Sequence, residues 1–124
     1  MITNEQIYSL KAMRYVAKKG IGIVVSRQEI ADAEEIPSHF LAKILQNLSK
    51  RGLIEIRQGS RGGPVLIKNP GEITLLDVLE ICGGPFHFNR IGGGKIDIYM
   101  ERAEHDLRVG FDEITIADLV EEDE

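Results

Sequence analysis

The sequence predicts a mostly α-helical protein with one small β-hairpin, and three observations lead to this fold class. Apolar residues recur every three or four positions along most of the chain, as amphipathic helices require. Two such helices, at 27–33 and 38–50, are separated by a turn of three or four residues. Two short β-rich segments joined by a glycine-rich loop then follow at 53–68. This order of elements is that of a winged helix-turn-helix.

Length and composition favour a single domain, or one domain with a dimerisation arm. The chain has 124 residues, of which 43% are hydrophobic, enough for a small core. No apolar run approaches the roughly 18 residues that a membrane span needs, and the first 15 residues lack a signal-peptide pattern. We therefore expect a cytoplasmic protein with no membrane partner. The single cysteine excludes an internal disulfide and a CxxC metal site.

Charge is distributed unevenly between the two parts of the chain. The net charge is -5, but residues 1–70 have 11 Lys and Arg against 6 Asp and Glu, a balance of +5. Residues 71–124 have 4 against 14, a balance of -10. This asymmetry favours a basic nucleic-acid-binding part and an acidic part that faces away from the polyanion. The alternative is that the acidic C-terminus and one solvated helix account for the difference.

The first helix is expected to begin after Thr3 or Asn4 and to end at Gly20. The β-rich segment 21–25 predicts a short strand beside the hairpin. Ser26, with Glu29 three residues later, forms a capping-box pattern for the helix 27–33. Pro37 suits the first position of the following helix. The first helix has one apolar stripe of Ile7, Leu10, Met13 and Val16 or Ala17 and a second, flanking stripe of Tyr8, Ala12 and Tyr15. We expect such a helix to be buried between the winged domain and another element, such as a partner subunit.

The helix 38–50 has one apolar face and one polar face without acidic residues. A surface that lies against phosphates requires this, because each carboxylate would repel the DNA backbone. An ordinary solvated face is the alternative interpretation. The apolar face consists of Phe40, Leu41, Ile44, Leu45 and Leu48, and the polar face of His39, Ala42, Lys43, Gln46, Asn47 and Lys50.

The hairpin is predicted to have strands at 53–57 and 65–68 joined by the loop 58–64. Three glycines in the loop allow positive backbone angles and a close approach to a DNA groove, and Arg57 and Arg61 flank the tip. A plain hairpin is one alternative. A nucleotide-binding phosphate loop is another, but the Gly-Lys-Ser/Thr ending and following helix that it needs are missing.

The remainder of the chain predicts a capped helix, a loop and a long exposed helix. Thr74 and Asp77 mark the start of the capped helix, and Thr115 with Asp118 caps a last turn at 116–120. The glycine-rich segment 83–94 predicts a mobile loop between a DNA-binding domain at 1–82 and a dimerisation segment at 95–124. The helix from 95 to about 109 is expected to pair with a second copy through Ile96, Tyr99, Met100, Ala103 and Leu107.

Four stretches together resemble the IscR/CymR family (Rrf-two family) of bacterial winged helix-turn-helix transcriptional regulators. They are YSLKAMRYVAKKG, EIADAEEIPSHFLAKILQNLSKRGLI, the wing RQGSRGGPVL and the phrase ITLLDVLEICGGP, and the late ITIADLV resembles the family's closing segment. The resemblance covers nearly the whole chain. It implies a homodimeric repressor or activator that binds a pseudo-palindromic operator and dimerises through the long C-terminal helix.

The resemblance also implies which residues contact DNA. Pro37, Ser38 and His39 match the start of the family's recognition helix, and Gln58 stands where many members have a wing arginine. Glutamine suits an adenine edge, and the arginine role is expected to shift to Arg61. The predicted DNA-binding residues are Ser26, Arg27, Gln28, Pro37, Ser38, His39, Lys43, Gln46, Arg57, Gln58, Ser60, Arg61 and Gly62.

Many members of the family bind an iron–sulfur cluster through three closely spaced cysteines after the ITLLDVLE-type helix. No cysteine follows that helix here, and Cys82 within it is expected to be a small buried apolar residue. We therefore predict no cofactor. A cluster or metal held between subunits by Cys82 and a histidine, His87 or His105, is an alternative.

The sequence thus predicts a sequence-specific DNA-binding regulator, a repressor that acts as a homodimer on double-stranded DNA, with a small molecule or a protein as a further possible effector. A winged-helix module that binds proteins instead of DNA is the alternative from another class. An enzyme is not expected, because no nucleophile–base pair or set of paired carboxylates is recognisable.

Overall fold

The computed structural model describes residues 2–84 and 92–122, and within these ranges it confirms the predicted fold class. The wing is an antiparallel two-stranded sheet in which Ile54 pairs with Leu66 and Arg57 with Gly63. No helix in the described part is long and apolar enough to cross a membrane. The elements are α1 (Asn4–Lys19), α2 (Arg27–Glu34), α3 (Ser38–Lys50), β1 (Ile54–Arg57), β2 (Gly63–Leu66), a 3-10 turn (Pro70–Glu72), α4 (Leu75–Gly83), α5 (Gly94–Glu113) and α6 (Ile116–Glu122).

Helix α1 is the central element, and it contacts α2, α3, α4, α6 and β2. Its N-terminus is capped by Thr3 in a complete capping box with Gln6. The stripe predicted for α1 is partly wrong, because Ile7 is 40% exposed whereas the polar Gln6 and Ser9 are buried. Both polar side chains face α4, where hydrogen bonds to Leu79 and Cys82 compensate their burial.

The helix-turn-helix has the predicted caps with two differences. The Ser26 hydroxyl accepts from the Glu29 amide at 3.1 Å, but the Glu29 carboxylate bonds to residues of α1 instead of closing a box. Pro37 is the N-cap of α3 rather than its first residue. Glu35 provides the left-handed residue (φ 54°) that turns the chain between α2 and α3.

The wing strands differ from the predicted ones in their boundaries. Gly63 and Pro64, expected in the loop, begin β2, and Lys68, expected in the strand, follows it. Segment 21–25 pairs with β2 only through isolated bridges, of which one joins Val24 to Val65. The Val25 amide also donates to the Pro64 carbonyl at 3.0 Å. The wing is therefore attached to the chain that leads into α2.

The C-terminal helices lie in different environments. Ile116 of α6 is fully buried, and its amide donates to Ile73 ahead of α4 at 2.8 Å, so α6 shares the core with α1. Helix α5 has no buried residue and is longer than expected. It contacts α4, where Arg108 bonds to Glu80. The predicted loop 83–94 coincides with described residues only at its ends, since 85–91 lie outside the described ranges.

Candidate nucleic-acid interface

Helix α3 presents a polar surface to solvent because its apolar side is fixed in the core. Leu41, Ile44, Leu45 and Leu48 are at most 3% exposed. Phe40 is half-buried, and its ring centroid lies 6.0 Å from that of Tyr8 in α1. The outward residues His39, Lys43, Gln46 and Lys50 are exposed, and Ala42 and Asn47 are partly exposed.

The N-terminus of α3 is suited to an anion. Its N-cap is Pro37, no side chain caps it, and its first turn has no acidic residue. The first amide groups of any helix lack partners within the helix and bear partial positive charge. The Phe40 and Leu41 amides donate to the Pro37 carbonyl, which leaves the amides of the exposed Ser38 and His39 at the start of this turn. A phosphate or a base-edge acceptor placed here would meet unpaired N–H donors.

A cleft of about 710 Å³ separates α3 from the wing. It places several residues that are distant in sequence on one concave surface. Predicted DNA contacts from α2 (Arg27), α3 (Gln46) and the wing (Arg57, Gln58 and Gly62) line it together. Ser49 and Glu55 also line it, and sequence reasoning had assigned neither to the site.

Several predicted contact residues already have partners within the protein. The Arg57 Nε donates to Glu55 Oε1 at 3.0 Å. Lys43 lies 3.7 Å from Glu5 of α1, and Gln28 donates to Asp32 at 2.9 Å. These partners were missed, although the i+2 spacing of Glu55 and Arg57 on one strand face, and the i+4 spacing of Gln28 and Asp32 on a helix, were recognisable signals.

Other predicted contacts are exposed and have no ion pair within the described part of the chain. Arg27 lies at the start of α2, and Arg61 lies in the turn at the wing tip. Ser60 is exposed beside Arg61, whereas the Ser26 hydroxyl is used by the helix cap. The two arginines are therefore the cations of the predicted set that can meet phosphates without breaking an existing pair.

The wing glycines have an internal role that the sequence did not predict. A Cβ at Gly62 would lie 2.0 Å from the Arg57 carbonyl oxygen, and one at Gly63 would lie 2.1 Å from the Val25 carbonyl oxygen. The close approach expected toward a DNA groove is thus an approach to the protein's own backbone at these two positions. Gly59 is different, with a φ of 100° and open space around it.

A second polar network joins the end of α1 to the start of α2. The Tyr15 hydroxyl donates to Glu29, whose carboxylate also lies 3.0 Å from Lys19 Nζ. The hydrogen bond from Tyr15, followed by that from Lys19, lowers the pKa of Glu29. The same contacts raise the pKa of Tyr15 and of Lys19. Helix α2, whose N-terminus borders the cleft through Arg27, is thereby attached to α1.

Two of the three candidate ligands for a metal or cluster, Cys82 and His105, lie within the described residues. Cys82 is only partly buried, contrary to the expectation of a buried apolar residue, and its sulfur lies 2.9 Å from the Ser9 hydroxyl. His105 is exposed on α5, and His87 lies outside the described residues. Within the described ranges no three His, Cys, Asp or Glu residues are grouped so as to hold a metal ion.

Residues 2–122 match the family model Rrf2, described as an iron-dependent transcriptional regulator. The chain belongs to the Rrf2 family. Its four-part resemblance to this family, noted from the sequence, is thereby confirmed. The description of the family model, a transcriptional regulator, agrees with the class of protein that the sequence predicts.

Curated relatives include the HTH-type transcriptional regulator NsrR of Bacillus licheniformis, which is 33% identical over 94 residues, or 76% of this chain and 66% of that protein. CymR of Bacillus subtilis is 31% identical over 84 residues, or 68% of this chain and 61% of that protein. The chain spans about half the length of other relatives, namely 56% of an Aquifex aeolicus regulator and 48% of a Mycobacterium tuberculosis regulator.

Solved structures of the family share the fold. CymR of B. subtilis, the global cysteine regulator of that organism, superposes with a TM-score of 0.86 at 26% identity, covering 98% of this chain and 96% of its own. CymR of Staphylococcus aureus superposes with a TM-score of 0.84 at 25% identity, covering 96% of this chain and 97% of its own. T. potens IscR superposes with a TM-score of 0.83 at 21% identity, covering all of this chain and 88% of its own. At this identity the likeness shows a shared fold alone.

The family description refers to iron, and the donors of this chain do not fit an iron–sulfur cluster. Such clusters need several thiolates, whereas the chain has one cysteine. The thiol of Cys82 is hydrogen-bonded to Ser9 at a helix contact rather than directed at other donors. A symmetric pair of chains would bring two thiols, half the number that a four-cysteine site uses.

Proposed function

We propose that this Rrf2-family chain is a sequence-specific DNA-binding repressor that acts as a homodimer in the cytoplasm. The observation that supports this most is the outer face of α3, which is free of acidic residues and lies beside a cleft shared with the wing. In this proposal His39 and Gln46 contact base edges. Arg27 and Arg61 contact phosphates, or a narrow minor groove in the case of the wing tip.

The proposed dimer follows from α5, whose apolar side chains are unusually exposed. Ile96 is 66% exposed and Tyr99 60%, and a second copy is the partner that would cover them. Residues 1–82 would then bind DNA, and residues 95–124 would pair the copies, with α6 packed back on the first part. Two α3 helices related by a two-fold axis would enter successive major grooves roughly 34 Å apart on a pseudo-palindromic operator.

The test is selection of bound sequences from random duplex DNA, followed by binding measurements on the selected operator. His39→Ala should lose preference at one base position, because a base contact is worth about 1–3 kcal/mol of discrimination. Arg61→Ala should weaken binding to all sequences and reduce the slope of log affinity against log salt by about one. The charge-matched control is Lys68→Ala, whose lysine lies outside the cleft.

Lys43→Ala provides a graded comparison. Since Lys43 is already near Glu5, its removal should weaken binding on all sequences by less than the Arg61→Ala substitution does. Selection that yields no preferred sequence would contradict the proposal. It would favour the winged-helix protein-binding module instead.

A further inference from the structure

The cleft beside α3 contains one unexpected charge. Among its lining residues in the described part of the chain, Glu55 is the only carboxylate. Its side chain is 56% exposed, so the carboxylate is in contact with solvent. A carboxylate in a surface that faces a polyanion lowers affinity for every DNA sequence. The presence of Glu55 in the cleft therefore cannot be explained by a gain in DNA affinity.

The geometry of β1 supplies a different explanation. Residues two apart on a strand point to the same face, so the exposed Glu55 and Arg57 share one face of β1, and both line the cleft, as does the partly buried Ile56 between them. Glu55 Oε1 lies 3.0 Å from Arg57 Nε. This bond uses the Nε–H of the guanidinium and leaves its two terminal amino groups free to form the end-on fork that suits a guanine edge.

We propose that Glu55 is a positioning residue that orients Arg57 for one base contact and lowers affinity for random DNA. The inference rests on the proposed function. Arg57 lies at the base of the wing, and it shares the cleft with Gln46 of α3, so its fork is directed at the same groove. Without Glu55, Arg57 becomes a mobile cation that any phosphate can attract.

The experiment compares Glu55→Gln with wild type on the selected operator and on random duplex of equal length, from 50 to 200 mM salt. Affinity for random duplex should rise about 3- to 10-fold, and the salt slope should steepen by about one, because one more cation is available to phosphates. The ratio of operator to random affinity should fall at least about fivefold. Glu72→Gln removes the same charge outside the cleft and should leave this ratio unchanged.

A double-mutant cycle separates action through Arg57 from a direct effect of Glu55. In an Arg57→Gln background, Glu55→Gln should have no further effect on the ratio or the salt slope. An equal drop in the ratio of operator to random affinity in both backgrounds would overturn the proposal. A Glu55→Gln variant whose affinity ratio and salt slope equal those of wild type would overturn it too. A second variant, Glu55→Ala, should reproduce the result of Glu55→Gln. Thermal melting of each variant, followed by circular dichroism, tests whether the substitutions disturb folding.

The outcome for the inference is distinguishable from the outcome for the proposed function. Wild-type protein that selects no sequence contradicts the proposed function itself. Wild-type protein that selects an operator, with unaltered behaviour of Glu55→Gln, contradicts only the role of Glu55.

Discussion

At the scale of single residues, the absence of one methyl group decides how closely the wing approaches the rest of the protein. Gly63 has a φ of 149°, and a Cβ there would lie 2.1 Å from the Val25 carbonyl oxygen. Neither the backbone of β2 nor the segment before α2 can move away cheaply, because the Val25 amide is bonded to Pro64. Gly63 is therefore required by packing as well as by its backbone angle.

Gly63→Ala is expected to lower the free energy of unfolding by about 1–3 kcal/mol, the range for steric strain at a special backbone position. The matched control is Gly110→Ala in α5, where nothing lies near the new Cβ. That substitution should raise stability by about 0.5–1 kcal/mol, because alanine favours a helix. Urea denaturation of both variants measures these free energies of unfolding. Equal values for the two variants would contradict the close contact between Gly63 and Val25.

Gln6 is a second residue whose effect can be predicted. It is 5% exposed, its Nε2 donates to the Leu79 carbonyl at 2.9 Å, and its Oε1 accepts from the Thr3 amide at 2.8 Å. Gln6→Ala should cost about 1–3 kcal/mol of unfolding free energy, because a buried carbonyl and a helix-start amide lose partners. Ile7→Ala, at an exposed neighbouring position, should cost clearly less in the same denaturation experiment.

At the scale of elements, the contact between α1 and α2 depends on ionisation. The Tyr15 hydroxyl and the Lys19 ammonium both lower the pKa of Glu29. A group with a lowered folded pKa adds stability above its unfolded pKa and loses it as the pH falls through the folded pKa. The raised pKa values of Tyr15 and Lys19 act in the opposite direction. Their contributions are present at neutral pH and are lost as the pH rises through those values.

Glu29→Gln should therefore lower the melting temperature at pH 7, and its difference from wild type should shrink as the pH falls below about 4.3, the ordinary glutamate pKa. Thermal melts from pH 3 to 8 measure this. Asp32→Asn, on an exposed neighbouring position of the same helix, is the control and should not reproduce the profile. A constant difference across the range would show that the carboxylate charge is not what joins the helices.

The elements also show which features the sequence could predict. Caps at Ser26, Thr74 and Thr115 were recognisable because a cap involves residues only three apart, and the structure has all three. The buried face of α1 was not recognisable from the sequence, because the burial of Gln6 depends on its hydrogen bond to Leu79 of α4, 73 positions away. In the candidate interface, the exposure of the polar α3 residues was predictable, whereas intramolecular partners such as Glu5 depend on how helices pack.

At the scale of the whole molecule, the exposed apolar residues of α5 determine the assembly that we propose. Tyr99→Asp should convert a dimer into monomers, because it would place a charge in a buried apolar contact. His105→Asp adds the same kind of side chain outside the predicted stripe and should leave the dimer intact. Analytical ultracentrifugation checks both variants, and a monomeric wild-type protein would contradict the assignment of this helix.

Monomeric Tyr99→Asp protein should also bind the operator far more weakly, since one half-site provides only part of the contacts. Ile98 and Val109, 62% and 43% exposed, lie on α5 outside the predicted stripe. The contact that covers α5 is therefore expected to be wider than the sequence indicated.

The attachment of β2 to the segment before α2 has a consequence for the DNA sites that the proposed function implies. Because Gly63 lets the backbone of β2 lie against Val25, the base of the wing is held next to the segment that leads into the helix-turn-helix. We expect this contact to keep the distance between the wing and α3 constant. Substitutions on α3 can alter which bases are preferred. A base pair inserted between the bases under α3 and those under the wing should abolish the wing contact, whatever its sequence.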